Sequence, residues 1–267
     1  MKSSSATLFR AGRALLQTAG VCIAALTLAF ASPATAQAEL NEGPKTLLTT
    51  YRATAANRAA FRDYLLTTTT PWLRAMQKRG EISGFRIYYS WYRQPAVWDA
   101  MIELQMPNFK AVERWNAVER TMPGGLDKRG LTLAEPISTA SADLTWAKNP
   151  DDLRDGEVFY VIPYEYHDAA IYRAYVPGYV LPQFDGWVRE GALSGYALYM
   201  NRYPVGPMWD SLFIQRYRDM NAFGRRQLVL DKVRGPLRED PTWMEWHKKK
   251  GGIRDETENS IAELIAH

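Results

Sequence analysis

The stretch GEISGFRIYYSWYRQPAVWD, which begins at Gly80, returns as GALSGYALYMNRYPVGPMWD from Gly191. Gly80, Ser83, Gly84, Tyr88, Tyr92, Trp98 and Asp99 each recur 111 residues further on. The match runs without a gap from 48–126 onto 159–237, with about 16 identities and conservative pairs such as Phe61/Tyr172, Ile82/Leu193 and Phe85/Tyr196. Self-similarity at one fixed offset marks a duplicated unit, and two copies are too few for a solenoid. The chain is therefore read as a fold built from two halves.

Both halves carry the same order of local signals. TLLTTYRA from Thr46 and VFYVIPY from Val158 are β-branched and aromatic, as strands are. Apolar residues then recur at helical spacing, Phe61, Tyr64, Leu65, Thr68, Trp72 and Met76 in one half and Tyr172, Tyr175, Val176, Tyr179 and Trp187 in the other. Pro71 and Pro182 interrupt both helices at the same place, which predicts a kink or two short helices. Gly80 and Gly191 end them. Strands over Ile82–Trp91 and Val97–Gln105 follow, with copies at Leu193–Arg202 and Met208–Arg216, and a second helix begins at the N-cap residues Asn108 and Asp219. Beyond Leu126 and Leu237 the copies drift: STASADLTWA reads as a fourth strand, and DETENSIAELI as its copy or a terminal helix, with helix the preferred reading. The unit is β-α-β-β-α-β, the ferredoxin-like split motif. A sheet with helices on one face must cover the other, so the expected fold class is α+β, two ferredoxin-like halves packed sheet on sheet as an intrachain α+β barrel.

The ends set the compartment and the charge. Lys2, Arg10 and Arg13 precede the apolar run ALLQTAGVCIAALTLAFA, and Ala36-Gln37-Ala38 is a small-x-small site. This is a secretory signal peptide over 1–38, with the mature chain periplasmic or secreted and free of a membrane anchor. The first ferredoxin-like repeat is placed at 39–147, a polar linker at 148–156 and the second repeat with its C-terminal extension at 157–267. Cys22, the sole cysteine, leaves with the signal, so thiolate catalysis and thiolate metal sites are excluded. Loss of the three signal cations brings the formal charge from +4 to +1, a poor balance for a nucleic-acid partner.

With Pro71 or Pro182 followed nine residues later by Gly80 or Gly191, and with this element order and duplication, the chain resembles the dimeric α+β barrel superfamily. That group holds the stress-responsive A/B barrel proteins, the NIPSNAP proteins, the antibiotic-biosynthesis monooxygenases and the chlorite dismutase-like haem proteins; the proline–glycine pattern is most similar to NIPSNAP. The resemblance implies a pocket between the sheets, while activities across the group differ. It is also the one route to haem, with His167 or His247 as axial ligand, since no haem motif is present; no cofactor and no metal is expected from the residues themselves.

Strand parity maps the expected interior. Arg86, Tyr88 and Ser90 alternate with the apolar Phe85, Ile87 and Tyr89, so the first set should face inward, with Tyr199 and Asn201 in the copy. Asp99 and Glu103 share one face of the next strand, as does Asp210 in its copy, and Tyr160 and Tyr164 are assigned to the interior of the strand at Val158. The candidate catalytic residues are Asp210, His167, Tyr199, Asp99 and Tyr88; the candidate ligand-binding residues are Arg86, Tyr160, Tyr164, Tyr203 and Asn201. An acid repeated in both halves is equally read as a cap at a turn, and His167, opposite Ala56, as a loop histidine. Trp98 and Trp209 read as packing.

The functional expectation is a small-molecule protein for an aromatic or apolar ligand. It is either a cofactor-independent acid/base enzyme of isomerase, lyase or monooxygenase-like type, or a non-catalytic binding protein; a haem protein and a filled structural barrel are the remaining readings. The covalent duplication makes the monomer a pseudo-dimer, with a homodimer the alternative.

Overall fold

A computed structural model describes residues 45–206 and 208–267; the signal segment lies outside the described residues. The first half runs β1 (Thr46–Ala53), helix α1 (58–78), β2 (Gly84–Ser90), β3 (Ala100–Gln105), α2 (Phe109–Glu119), α3 (Lys128–Leu133) and β4 (Ala134–Lys148). The second runs β5 (Val158–Tyr166), helix α4 (169–189), β6 (Leu193–Asn201), β7 (Ser211–Tyr217), α5 (Met220–Gly224), α6 (Arg226–Leu237), α7 (Pro241–Lys249), β8 (Arg254–Glu256) and β9 (Ser260–Ala266). The C-terminal segment is thus strand, where the sequence suggested helix. Ser260 and Ala262 stay buried while their neighbours alternate outward, the period of a strand and not of a helix.

Eight antiparallel strands close on themselves in the order β1-β3-β2-β9-β5-β7-β6-β4, with β4 returning to β1. The closure crosses between the halves twice. β4 lies on β1 over its first part and on β6 from Ala142 to Lys148. β9 pairs with β5 through Ser260–Ala262 and with β2 through Ala262–Ala266. β8 and β9 together copy β4; Thr257–Asn259 breaks the copy in two. The α+β class and the sheet-on-sheet barrel are as expected.

Strand pairing corrects the gapless repeat. Tyr51 lies opposite Ala100, and Tyr164 lies opposite Ser211. The first strands are therefore related by 113 residues and the rest by 111, and the β5–α4 turn is two residues shorter. His167, next to the N-cap Asp168, lies in that shortened turn.

The prolines do not break their helices. α1 comprises Arg58–Tyr64, a π-helical turn Leu65–Thr69 and Thr70–Lys78; α4 comprises Ala169–Tyr175, a π turn Val176–Val180 and Leu181–Arg189. The amides of Thr70 and Leu181 reach back to the carbonyls of Leu65 and Val176. Widening the turn before each proline moves the carbonyl its ring would strike, so the path stays helical.

Three apolar cores result. Phe61, Leu65, Leu73, Phe85, Ile87 and Trp115 join the first helix layer to its sheet, and Tyr172, Val176, Phe184, Leu198, Phe213 and Trp243 join the second. Leu48, Tyr88, Met101, Phe159, Val161, Tyr199, Leu212 and Ile214 fill the barrel.

Asp99 and Asp210 close the hairpin ends. Ala53 N–H donates to Asp99 Oδ2 at 2.8 Å, and Arg58 Nη1 lies 3.1 Å from Oδ1; Tyr166 N–H donates to Asp210 Oδ2 at 3.0 Å. Both act as caps on the strand before the helix. Asp99→Ala should therefore cost about 2–3 kcal/mol, because it strands a buried amide and a half-buried arginine, and Asp210→Ala about 1–2 kcal/mol. Urea unfolding of the two variants measures this, and equal, near-zero losses would oppose it.

Candidate functional site

The barrel interior is packed around one carboxylate. Glu103 on β3 is fully buried. Its Oε1 accepts from Arg86 Nη1 at 2.6 Å, Tyr199 OH at 2.8 Å and Gln105 Nε2 at 2.9 Å, and Tyr88 OH donates to Oε2 at 3.2 Å. Arg86 also donates to Asp151 Oδ1 at 2.6 Å and to the Pro150 carbonyl at 3.1 Å, which ties the β4–β5 connection across the barrel end. Burial and the Glu103 charge push both tyrosine hydroxyls well above their ordinary value, so they stand as phenol donors. Beside them a void of only about 20 Å³ remains between Arg86, Tyr88, Phe159 and Arg216. At the barrel end a shallow pocket of about 240 Å³ is lined by Lys45, Gln105, Asp143, Asp151 and Tyr199.

Of the residues proposed from the sequence, Arg86, Tyr88 and Tyr199 meet on Glu103. Asn201 is buried at the β6–β7 hairpin, where its Nδ2 donates to the Trp209 carbonyl at 3.0 Å. Asp99 and Asp210 serve the backbone as above. Tyr203 is 64 % exposed at the hairpin tip, away from the interior. Tyr160 and Tyr164 face the helix layer, and Phe159 and Val161 take the interior positions instead. Polarity misled here: the second helix layer is itself aromatic, with Tyr164 edge-on to Phe213 at 4.7 Å and Tyr160 edge-on to Phe223 at 6.0 Å. His167 is exposed at the β5–α4 turn, its Nε2 2.8 Å from Asp255 Oδ2 and its Nδ1 3.1 Å from the Gly252 carbonyl. It fastens the segment between α7 and β8.

A larger cavity than either of these lies where those tyrosines point. A cleft of about 480 Å³ opens between the β5–β7 sheet and helices α4 and α6. Tyr160, Tyr164, Tyr179, Phe184, Trp187 and Tyr217 form its aromatic walls, and Arg226, Arg234, Lys250 and Arg254 bring four cations to it against one carboxylate, Glu256. The Arg254 guanidinium lies 3.7 Å from the Tyr164 ring centre and its Nε donates to Tyr175 OH at 3.2 Å; Arg226 sits over Phe223 at 4.8 Å. Arg234 Nε donates to Gln183 Oε1 at 2.7 Å. Glu256 is engaged by Asn259 and by Tyr164 OH. Among the described residues no carboxylate forms an ion pair with any of the four cations. Buried Trp187 Nε1 has no hydrogen-bond partner among the described residues. Burial, Arg234 and Arg254 lower the Lys250 pKa.

The duplication explains why the cleft opens on this side. At the matching position of the first half, Trp72 and Trp115 meet at 5.8 Å and fill the space; a Cβ on Gly125, which has φ +73°, would come 2.9 Å from Trp115. Their counterparts at the 111-residue offset are Gln183 and Arg226. Two tryptophans are thus replaced by polar side chains that reach aside. These residues were legible in the aligned halves as losses of bulk. The same comparison marks Glu103 and Arg86, which face Ile214 and Ala197 in the copy.

No family model matches the chain, and no curated protein matches it. Solved structures do. A monooxygenase-like protein of Lactobacillus acidophilus is 13 % identical, with TM-score 0.48, over 84 % of this chain and 94 % of its own. A chlorite dismutase of Candidatus Nitrospira defluvii in complex with cyanide is 10 % identical, with TM-score 0.50, over 85 % and 93 %. A haem-binding protein of Thermus thermophilus is 10 % identical, with TM-score 0.45, over 84 % and 92 %. At these identities the likeness is one of fold alone, and the chlorite dismutase match at TM-score 0.50 is in keeping with the α+β barrel described above.

Two histidines flank the cleft and should titrate in opposite directions. Asp255 and the Gly252 carbonyl raise His167, whereas burial, then Lys250, Arg234 and Arg238, lower His247. Because the folded value of His167 is raised, its stabilising contribution is complete below the unfolded imidazole value and fades as pH rises through the folded one. His167→Ala should accordingly lower stability at about pH 5 and leave it unchanged at about pH 9. Imidazole NMR titration with unfolding at both pH values checks this; coincident titration of the two histidines would contradict it.

Proposed function

We propose that this chain is an exported small-molecule-binding α+β barrel, and that its ligand is an anion with an aromatic or apolar body held in the cleft of the second half. The observation that carries this reading is the convergence of Arg226, Arg234, Lys250 and Arg254 on one aromatic-walled cavity, with no ion-paired carboxylate among the described residues. Like charges gathered on a low-dielectric wall repel one another, and a bound anion relieves them. The apolar walls would take the body of the ligand. Export rests on the n-region, apolar run and Ala36-Gln37-Ala38 site of the first 38 residues.

An acid/base enzyme working inside the barrel draws little support: Asp99, Asp210 and His167 are committed elsewhere, and Glu103 is sealed by Arg86 and two phenols. The cleft does not suit haem. Its lining has no histidine, cysteine or methionine for an axial bond, and burial raises the pKa of Tyr160, Tyr164, Tyr179 and Tyr217, which disfavours a phenolate ligand.

Calorimetry with 3-phenylpropanoate and its neutral analogue 3-phenylpropan-1-ol tests the reading. A charge-assisted hydrogen bond is worth about 1.5–3 kcal/mol, so the acid should bind at least about tenfold more tightly. Gln183→Trp or Arg226→Trp should refill the cleft and abolish binding while the fold stays intact, and Arg254→Met should weaken the acid and spare the alcohol. Equal affinities, or unchanged binding in the tryptophan variants, would overturn the assignment.

A further inference from the structure

We infer that Lys250 is a nucleophilic amine that captures carbonyl-bearing anions, 2-oxo acids with an aromatic or branched apolar body, as an imine in the cleft. This rests on the reading of the cleft as an anion site and adds a covalent step to it. Lys250 is the one primary amine among the lining residues. It opens the turn Lys250–Gly252, and no neighbouring atom lies within 4 Å of where a Cβ on Gly251 or Gly252 would stand, so the turn is free to bring the amine forward. His167 and the β8 pairing of Arg254–Glu256 with β5 fasten the far end of the turn.

The neighbours divide the work. Arg254 and Arg234 line the same cleft and can hold a carboxylate, which presents the adjacent carbonyl carbon to the amine. Lys250 has no hydrogen-bond or ion-pair partner among the described residues, in contrast to Lys249, which is paired with Glu245. Partial burial and the two guanidiniums favour its neutral form, the form with a free electron pair.

The step balances without any oxidant. The nitrogen lone pair of neutral Lys250 attacks the carbonyl carbon, and the carbonyl π pair moves to oxygen. One nitrogen proton passes to that oxygen, giving the carbinolamine. The C–O bond then breaks as the nitrogen lone pair forms C=N, and hydroxide leaves as water after taking a proton from solvent. The products are the protonated imine and one water, and the iminium withdraws electrons from the neighbouring carbon on the side away from the carboxylate, acidifying its C–H bond.

Borohydride trapping with phenylpyruvate tests the assignment. Reduction of the imine fixes an adduct whose mass is that of the probe less one oxygen, and peptide mapping finds the modified lysine. The expected result is a single dominant adduct on Lys250, suppressed by excess 3-phenylpropanoate, about tenfold lower in Lys250→Arg and retained in Lys249→Arg. Labelling spread over surface lysines and undiminished in Lys250→Arg, with 3-phenylpropanoate still binding the wild type, would overturn the imine while leaving the anion site in place. Absence of both trapping and 3-phenylpropanoate binding would overturn the two together.

Discussion

Closure of the barrel is the constraint on which everything else depends. A four-stranded half has two edges and one bare face. The crossing pairs β4–β6 and β9–β2 satisfy the edges of both halves at once, and the same act buries each bare face against the other. No half could keep its sheet dry alone. Closure also places all helices outside, so every cavity of useful size must lie either at a barrel end or between a sheet and its helices. With the interior filled by Tyr88, Met101, Phe159, Tyr199 and Leu212, the helix–sheet layers are what remains.

The buried polar cluster follows from the same closure. Glu103 and Arg86 sit on β3 and β2 of the first half, Tyr199 on β6 of the second, and the carboxylate joins them at 2.6 and 2.8 Å. Taking a carboxylate out of water is costly unless each oxygen is satisfied, and here four donors satisfy the two. The cluster fixes how the halves meet. It also leaves no room for a substrate, which directs attention to the side of the molecule where two tryptophans have given way to glutamine and arginine.

Much of the architecture was legible because repetition reports on structure twice. The strands at Thr46 and Val158, the helix ends at Gly80 and Gly191, and the N-caps Asn108 and Asp219 all stand where their spacing put them. Local pattern failed where tertiary contact decides. DETENSIAELI holds good helix formers, yet β9 is drawn into the gap that β2 and β5 leave open. Tyr160 and Tyr164 were assigned inward on polarity, but a tyrosine ring buries as readily as phenylalanine when its hydroxyl finds Asn259 or Glu256. The candidate site was legible only in part: Lys250 precedes β8, and Arg254 opens β8, where the copy of β4 is interrupted and the 111-residue alignment has drifted, so the repeat could not flag them. Gln183 and Arg226 could be found, by asking where the halves differ instead of where they agree.

The central claim is that ligand recognition belongs to the second helix–sheet layer and not to the barrel interior or its ends. The indole N–H resonances report this directly, since Trp187 lines the cleft while Trp98 and Trp209 pack at the barrel end. In a titration with 3-phenylpropanoate followed by ¹⁵N-indole NMR, the Trp187 signal should move as the ligand packs beside its ring, with Trp98 and Trp209 unmoved. Movement of Trp98 or Trp209 with Trp187 silent would contradict the account and return the site to the barrel.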